Sequence, residues 1–148
     1  MAVNDDEVIR LGDFLPYQVV LLADRIGKRI AAVLKSHDDM NLSHWRVLAA
    51  VAEVPGRTAN EVVAVTPMDK GIVSRAVKSL IGEGLLERRA SDSDGRLGHL
   101  HLTTSGETLY RAIAADIRAV EKQMRASLPP GQWADMQSAL SRLLAALG

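Results

Sequence analysis

Five residues along one short stretch, Lys70, Gly71, Ser74, Arg75 and Lys78, are of the types a protein brings to a DNA groove. Small residues permit close approach to base edges, and long cations reach phosphates and the acceptor atoms of guanine. Between them Val73, Ala76, Val77 and Leu80 recur at helical spacing and predict one buried stripe. A second set of cations follows in the chain. Arg88 and Arg89 lie on a strand-like run and add charge suited to a phosphate backbone. Arg96 emerges just after Asp94-Gly95, and an arginine at a hairpin tip can enter the narrow minor groove, whose negative potential attracts guanidinium. Taken alone, the first stretch also fits an ordinary amphipathic surface helix. The neighbouring elements break the tie.

These side chains need a frame, and the flanking sequence predicts one. After the turn signal Pro55-Gly56, Thr58 with Glu61 three residues on forms a capping box for a short helix that ends before Thr66. Thr66, with Pro67 at the first helical position and Asp69 three residues later, is the expected start of the next helix. Gly84 is its stop, and Gly82 weakens its last turn. Leu86 to Ala90 and Leu97 to Leu102 read as strands around the turn Ser91-Asp92-Ser93-Asp94-Gly95. Leu100 and Leu102 share one strand face, and His99 and His101 share the other, expected to be a polar outer face. Helix, tight turn, helix and charged hairpin is the layout of a winged helix-turn-helix, with one helix in the major groove and a hairpin beside it.

Long apolar helices flank this module. Leu15, Val19, Leu22, Ile26, Ile30 and Val33 recur at three- and four-residue steps across Pro16 to Ser36, with Asp24 and Lys28 spaced for an ion pair. Leu109, Ile113, Ile117, Val120 and Met124 predict a second, begun by Thr103 or Thr104 with Glu107 and stopped by Leu128-Pro129-Pro130-Gly131. Trp133, Met136, Leu140, Leu143, Leu144 and Leu147 predict a third. Such helices either fold back on the core or interleave with those of a second copy, and their place at opposite chain ends favours the second. The expected fold is therefore mainly α: a winged helix-turn-helix over 41–103 with a two-stranded wing, between dimerisation helices in 1–40 and 104–148.

In order, LSHWRVLAAV, the EVV helix, MDKGIVSRAVKSL, EGLLERR, the Asp-Gly-Arg turn and HLHLTTSGE resemble the MarR family of bacterial transcription regulators over Leu42 to Thr103. That family's wing signature runs Asp-Arg-Arg and then seven residues to Leu-Thr. Asp94, Arg96 and Thr103 keep the spacing, so the resemblance gives the wing-arginine role to Arg96. The chain departs from the pattern at Gly95, in the lack of a wing proline, and at Thr66-Pro67 where Leu-Gly is common. The resemblance implies a homodimer built by the first and last two helices. It also implies a small-molecule cleft where those helices meet the DNA-binding module, which maps here to Tyr17, Leu21, His44, Trp45, Leu48 and Tyr110. Apolar walls with a few polar tips suit an aromatic acid, and Arg46 or Arg25 can pair its carboxylate. The plainer reading of Trp45 and Leu48 is core.

Composition narrows the alternatives. The 148 residues carry 18 basic and 18 acidic side chains, so any DNA contact depends on local placement rather than bulk charge. Two tryptophans, two tyrosines and one phenylalanine are too few for a base-stacking platform, which disfavours RNA or single strands. No cysteine is present, which excludes disulfides, thiolate metal sites and thiol redox sensing. The four histidines lack the spacing of a metal set: His37 reads as a helix-end cation and His44 as a candidate ligand contact. No phosphate loop or nucleophile–base constellation occurs, so neither an enzyme nor a cofactor is expected. No apolar run reaches membrane length and MAVNDDE is not a signal peptide, so a cytoplasmic location is expected. The expected partner is a pseudo-palindromic double-stranded operator; the alternative is a winged-helix protein-interaction module without DNA binding, which the paired cation sets disfavour.

Overall fold

The computed structural model describes residues 2–38, 40–90 and 98–148. Six helices and one hairpin follow in order: α1 (Leu15–Leu34), α2 (Leu42–Glu53), α3 (Ala59–Val65), α4 (Lys70–Gly82), β1 (Leu86–Ala90), β2 (Gly98–Leu102), α5 (Thr104–Ala126) and α6 (Gln132–Leu147). Local chemistry sets most of these boundaries. Pro16 opens α1, where its missing N–H costs nothing, and Lys28 pairs with Asp24 at 2.7 Å one turn apart. The Asn41 carboxamide accepts from the His44 amide at 2.8 Å to start α2. Thr58 and Glu61 form the reciprocal capping box of α3.

The start of α4 departs from expectation. Thr66 does not cap it; its hydroxyl donates to the Val62 carbonyl at 2.8 Å and closes α3 instead. Asp69 is the cap, accepting from the Ile72 amide at 2.8 Å. Pro67 sits in the intervening turn and Met68 is buried beneath it. The physical reason is competition between two possible caps. The carboxylate is the stronger acceptor and lies at the positive helix end, and Met68 gains burial only if the turn runs on to Asp69. The far end follows the glycine rule. Gly84 has φ 74°, and the amides of Gly84 and Leu85 return to the carbonyls of Ile81 and Leu80.

The two strands pair antiparallel, with Leu86 opposite Leu102, Arg88 opposite Leu100 and Arg89 opposite His99. A third stretch of chain supports them. The Gly56 amide donates to Leu100 O at 2.8 Å, and the Leu100 amide donates to Arg57 O at 2.9 Å. The His99–His101 face is consequently not the polar outer surface expected. His99 Nδ1 lies 2.8 Å from the Gly56 carbonyl, both histidines are half-buried, and the His101 ring lies against Gly56. Strand alternation separated the two faces; the Pro55-Gly56 turn, distant in sequence, covers the second.

The core gathers Leu34 of α1, Val47, Leu48 and Val51 of α2, Val62 of α3, Val73, Val77 and Leu80 of α4, Leu86 and Leu100 of the hairpin, and Ile113 of α5. Leu85, just past α4, packs directly on Gly106 of α5, where a Cβ would collide with the Leu85 carbonyl oxygen. Thr103 completes the joint: its hydroxyl donates to Gly84 O at 2.6 Å and accepts from the Gly106 amide at 3.0 Å. His37, expected as a free helix-end cation, meets Asp116 of α5 at 2.7 Å. In contrast, α6 buries no residue, and Leu140, Leu143, Leu144 and Leu147 stay exposed along it. Among the described residues no helix is long and apolar enough to cross a membrane.

Candidate nucleic-acid interface

Helix α4 divides cleanly into two faces. Val73, Ala76, Val77 and Leu80 are buried, whereas Lys70, Gly71, Ser74, Arg75 and Lys78 are all exposed. At about 100° of rotation per residue, the five exposed positions span an arc of about 140° and the four buried ones about 100° on the opposite side. The apolar stripe therefore determines which way the cations point. Gly71 keeps this face low, and the Arg75 guanidinium lies over it, its Nη1 3.3 Å from where a Cβ would stand. Asp69 sits at the same end as cap, so the amide-rich first turn is not itself left bare.

The wing cations separate by strand alternation. Arg88 shares a face with Leu86 and Leu100, is exposed, and rests its stem on Gly98, whose Cβ would meet Arg88 Cδ at 3.2 Å. Arg89 points to the other face and is held twice by Glu87, through Nε at 2.8 Å and through Nη2. Among the described residues no carboxylate lies within ion-pair distance of Lys70, Arg75, Lys78 or Arg88. Among the described residues those four have no pair to break before meeting a phosphate, whereas Arg89 has one. Asp94 and Arg96 lie outside the described residues.

The six residues mapped to a ligand cleft do not share one cavity in this chain. Trp45 and Tyr110 come together as a stacked pair, centroids 5.4 Å apart and rings 11° from parallel. With Arg46, Val65 and Pro67 they line a groove of about 450 Å³. Leu48 is fully buried core. His44 faces a separate hollow with Asp38, Glu83 and Leu109. Tyr17 and Leu21 stand exposed on α1, where Tyr17 touches the Phe14 ring.

Residues 38–97 match the MarR family model, which brackets α2, the helix-turn-helix and the first wing strand. Over that segment the chain is similar to MarR-family winged helix-turn-helix regulators. The chain is 33% identical over 95 residues to the HTH-type transcriptional regulator PetP of Rhodobacter capsulatus, a stretch covering 64% of this chain and 55% of PetP. It thus spans about half the length of the curated relatives it matches. CouR of Rhodococcus jostii, solved with p-coumaroyl-CoA bound, superposes with a TM-score of 0.82 at 19% identity, covering 92% of this chain and 95% of CouR. FabT of Streptococcus pneumoniae, solved in complex with DNA, superposes with a TM-score of 0.75 at 20% identity, covering 90% and 94%. These last two establish a shared fold that takes in the flanking helices as well as the MarR segment.

Sequence reasoning missed several residues that position α4 and the wing. Asp69 was read as an accessory to Thr66, although Asp followed three residues on by an apolar residue is itself a cap signal. Arg57 had no signal; half-buried, it reaches Ala50 O and Glu53, both at 2.6 Å, and pins the turn that supports β2. Nor did Gly106 announce the close approach of Leu85.

Proposed function

We propose that the chain is a sequence-specific transcriptional regulator that binds double-stranded DNA as a homodimer, α4 entering the major groove and the wing reaching the flanking backbone. One observation carries this: Lys70, Gly71, Ser74, Arg75 and Lys78 all stand on one exposed face of α4, opposite the stripe that anchors the helix. The naming of PetP as a regulator and the DNA complex of FabT support the same reading. For the dimer the support is α6, which buries no residue within the described chain, together with Leu15, Val19 and Leu22, exposed along one face of α1. On this reading 1–40 and 104–148 build the two-fold and 41–103 carries the reading heads, with Arg96 as the wing-tip cation.

In the finer reading the protein is a repressor released by a small aromatic acid. The Trp45–Tyr110 groove supplies a stacked aromatic wall with Arg46 beside it, and CouR, of the same fold, holds a coumaroyl thioester. Of the six mapped residues, Trp45 and Tyr110 carry the proposal; Tyr17 and Leu21 join it only through a second copy. Selection of DNA from a random pool tests the main reading. Recovery of a two-fold-symmetric site with half-sites about one helical turn apart is expected. Enrichment of no sequence, with retention on heparin insensitive to salt, would leave a protein-interaction module as the surviving function.

A further inference from the structure

Helix α2 is the frame that α4 and the wing share, but it holds them by different means. Val47, Leu48 and Val51 of α2 lie in one buried cluster with Val73, Val77 and Leu80 of α4, so α4 is seated by packing. Strand β2 is seated through the turn that follows α2. The Gly56 amide donates to Leu100 O at 2.8 Å and the Leu100 amide donates to Arg57 O at 2.9 Å, so the turn grips a single residue of the strand from both sides. Leu100 stands opposite Arg88, and that rung therefore carries a wing cation on its far strand. His99 Nδ1, 2.8 Å from Gly56 O, ties down the neighbouring rung, which carries Arg89.

The turn supplies little stiffness of its own. Gly56 has φ 93°, a conformation natural to glycine, and Val54 before it has already left the helix for extended backbone. Arg57 supplies what the turn lacks. Its side chain is only 14% exposed and runs back to α2, where Nη1 donates to Ala50 O and to the Glu53 carboxylate, both at 2.6 Å. Glu53 is 69% exposed, and a pair with so wet a partner holds little. The Ala50 carbonyl, at the negative end of α2, is the firmer anchor. One residue thus holds α2 with its side chain and β2 with its carbonyl.

We propose that Arg57 is a positioning residue for DNA binding: it fixes the pitch of the wing against α2, and so the separation between Arg88 and the cations of α4. The proposal rests on the DNA-binding reading. Two sets of cations reinforce each other on one duplex only when their separation is preset; otherwise binding must first order the strand that carries one of them. The Arg57 charge does not itself serve DNA, because the guanidinium is turned into the end of α2.

The test is a double-mutant cycle in the full-length protein, on a site selected from random DNA. Arg57→Met keeps the stem and removes the fork. It should weaken site binding by about three- to tenfold, the cost of ordering a loop and a few side chains on binding. An equal loss is expected in an Arg75→Ala background. In an Arg88→Ala/Arg96→Ala background, with those wing cations gone, the loss should fall below about twofold. Hydrogen exchange should show the Leu100 amide opening faster in Arg57→Met while the Val73 and Val77 amides keep their protection. Arg57→Lys, a point charge facing two acceptors, should lie between wild type and Arg57→Met. A loss just as large in the Arg88→Ala/Arg96→Ala background overturns the proposal, since Arg57 would then act on the fold as a whole. Unchanged site binding by Arg57→Met overturns it too. If circular dichroism shows that Arg57→Met does not fold, the same cycle is read with Arg57→Lys. A wild type that selects no DNA site overturns the DNA-binding reading and this proposal with it, whereas unchanged Leu100 exchange overturns the brace alone.

Discussion

Helices α4 and α6 have similar lengths and both carry a continuous apolar stripe, yet α4 buries four residues of its stripe and α6 buries none. Periodicity alone does not distinguish them. What differs is the surroundings: α4 lies between α2, α3 and the wing root, whereas α6 has no layer of its own chain over Leu140 and Leu144. The comparison teaches that one amphipathic pattern can serve two purposes. In α4 the apolar stripe is buried within the chain, and on the proposed function the free face is the reading surface. In α6 the apolar face itself is free, and on the dimer proposal a second copy covers it.

Substitution in the two stripes should produce different kinds of damage, and this is the largest expected effect. Leu80→Ala should cost about 2–5 kcal/mol of folding stability, read by denaturant titration. The double change Leu140→Glu with Leu144→Glu should leave a folded monomer by light scattering and weaken operator binding by about 100-fold or more, because the second half-site no longer benefits from the first. If the double variant stays dimeric, the contrast between the helices fails.

On the free face of α4 the effects are smaller and read only in DNA binding. Arg75→Ala should cost about 1–3 kcal/mol and relax the preference at its base position, whereas Lys78→Ala should weaken all sequences alike and make the salt slope shallower by about 1. Equal losses on specific and random DNA for both variants would show that α4 supplies charge without reading sequence.

At the N-terminus of α4, Asp69→Ala should destabilise the fold by about 0.5–2 kcal/mol, and Thr66→Val, whose lost hydroxyl serves α3, by less. The opposite order would restore Thr66 as the cap. The smallest effect is the wing pair. Arg88→Ala should weaken DNA binding measurably, and Arg89→Ala by less, since Glu87 already holds that guanidinium. Competition assays against the wild type resolve the difference.

Much of this was legible in the sequence because it rests on short-range chemistry. The exposed cationic face of α4, the Thr58–Glu61 box, the Thr103 cap and the glycine stop at Gly84 are all specified by residues within a turn or two of each other. Illegible were the choices settled by distant chain. Thr66 and Asp69 were both competent caps; Asp69 takes the role, Thr66 bonds back to Val62, and Met68 between them is buried. His99 and His101 were assigned to one face correctly, but nothing local said that Gly56 would lie over it. The mapped ligand residues scattered for the same reason: proximity through a fold, or through a second copy, leaves no spacing to read.

The joint at Thr103, Gly84, Leu85 and Gly106 has a mechanical consequence. Within a few residues it ties the end of α4, the foot of the wing and the head of α5, with no room for a side chain between Gly106 and Leu85. Helix α5 is 23 residues long, about 34 Å, and leaves this joint as a stiff rod. Such a rod is a lever with a clamped end. A tilt of a few degrees imposed at the far end of α5 is passed through this joint to α4 and the wing as a rotation. On the dimer proposal, the spacing between the two modules is geared to the angle between two such rods.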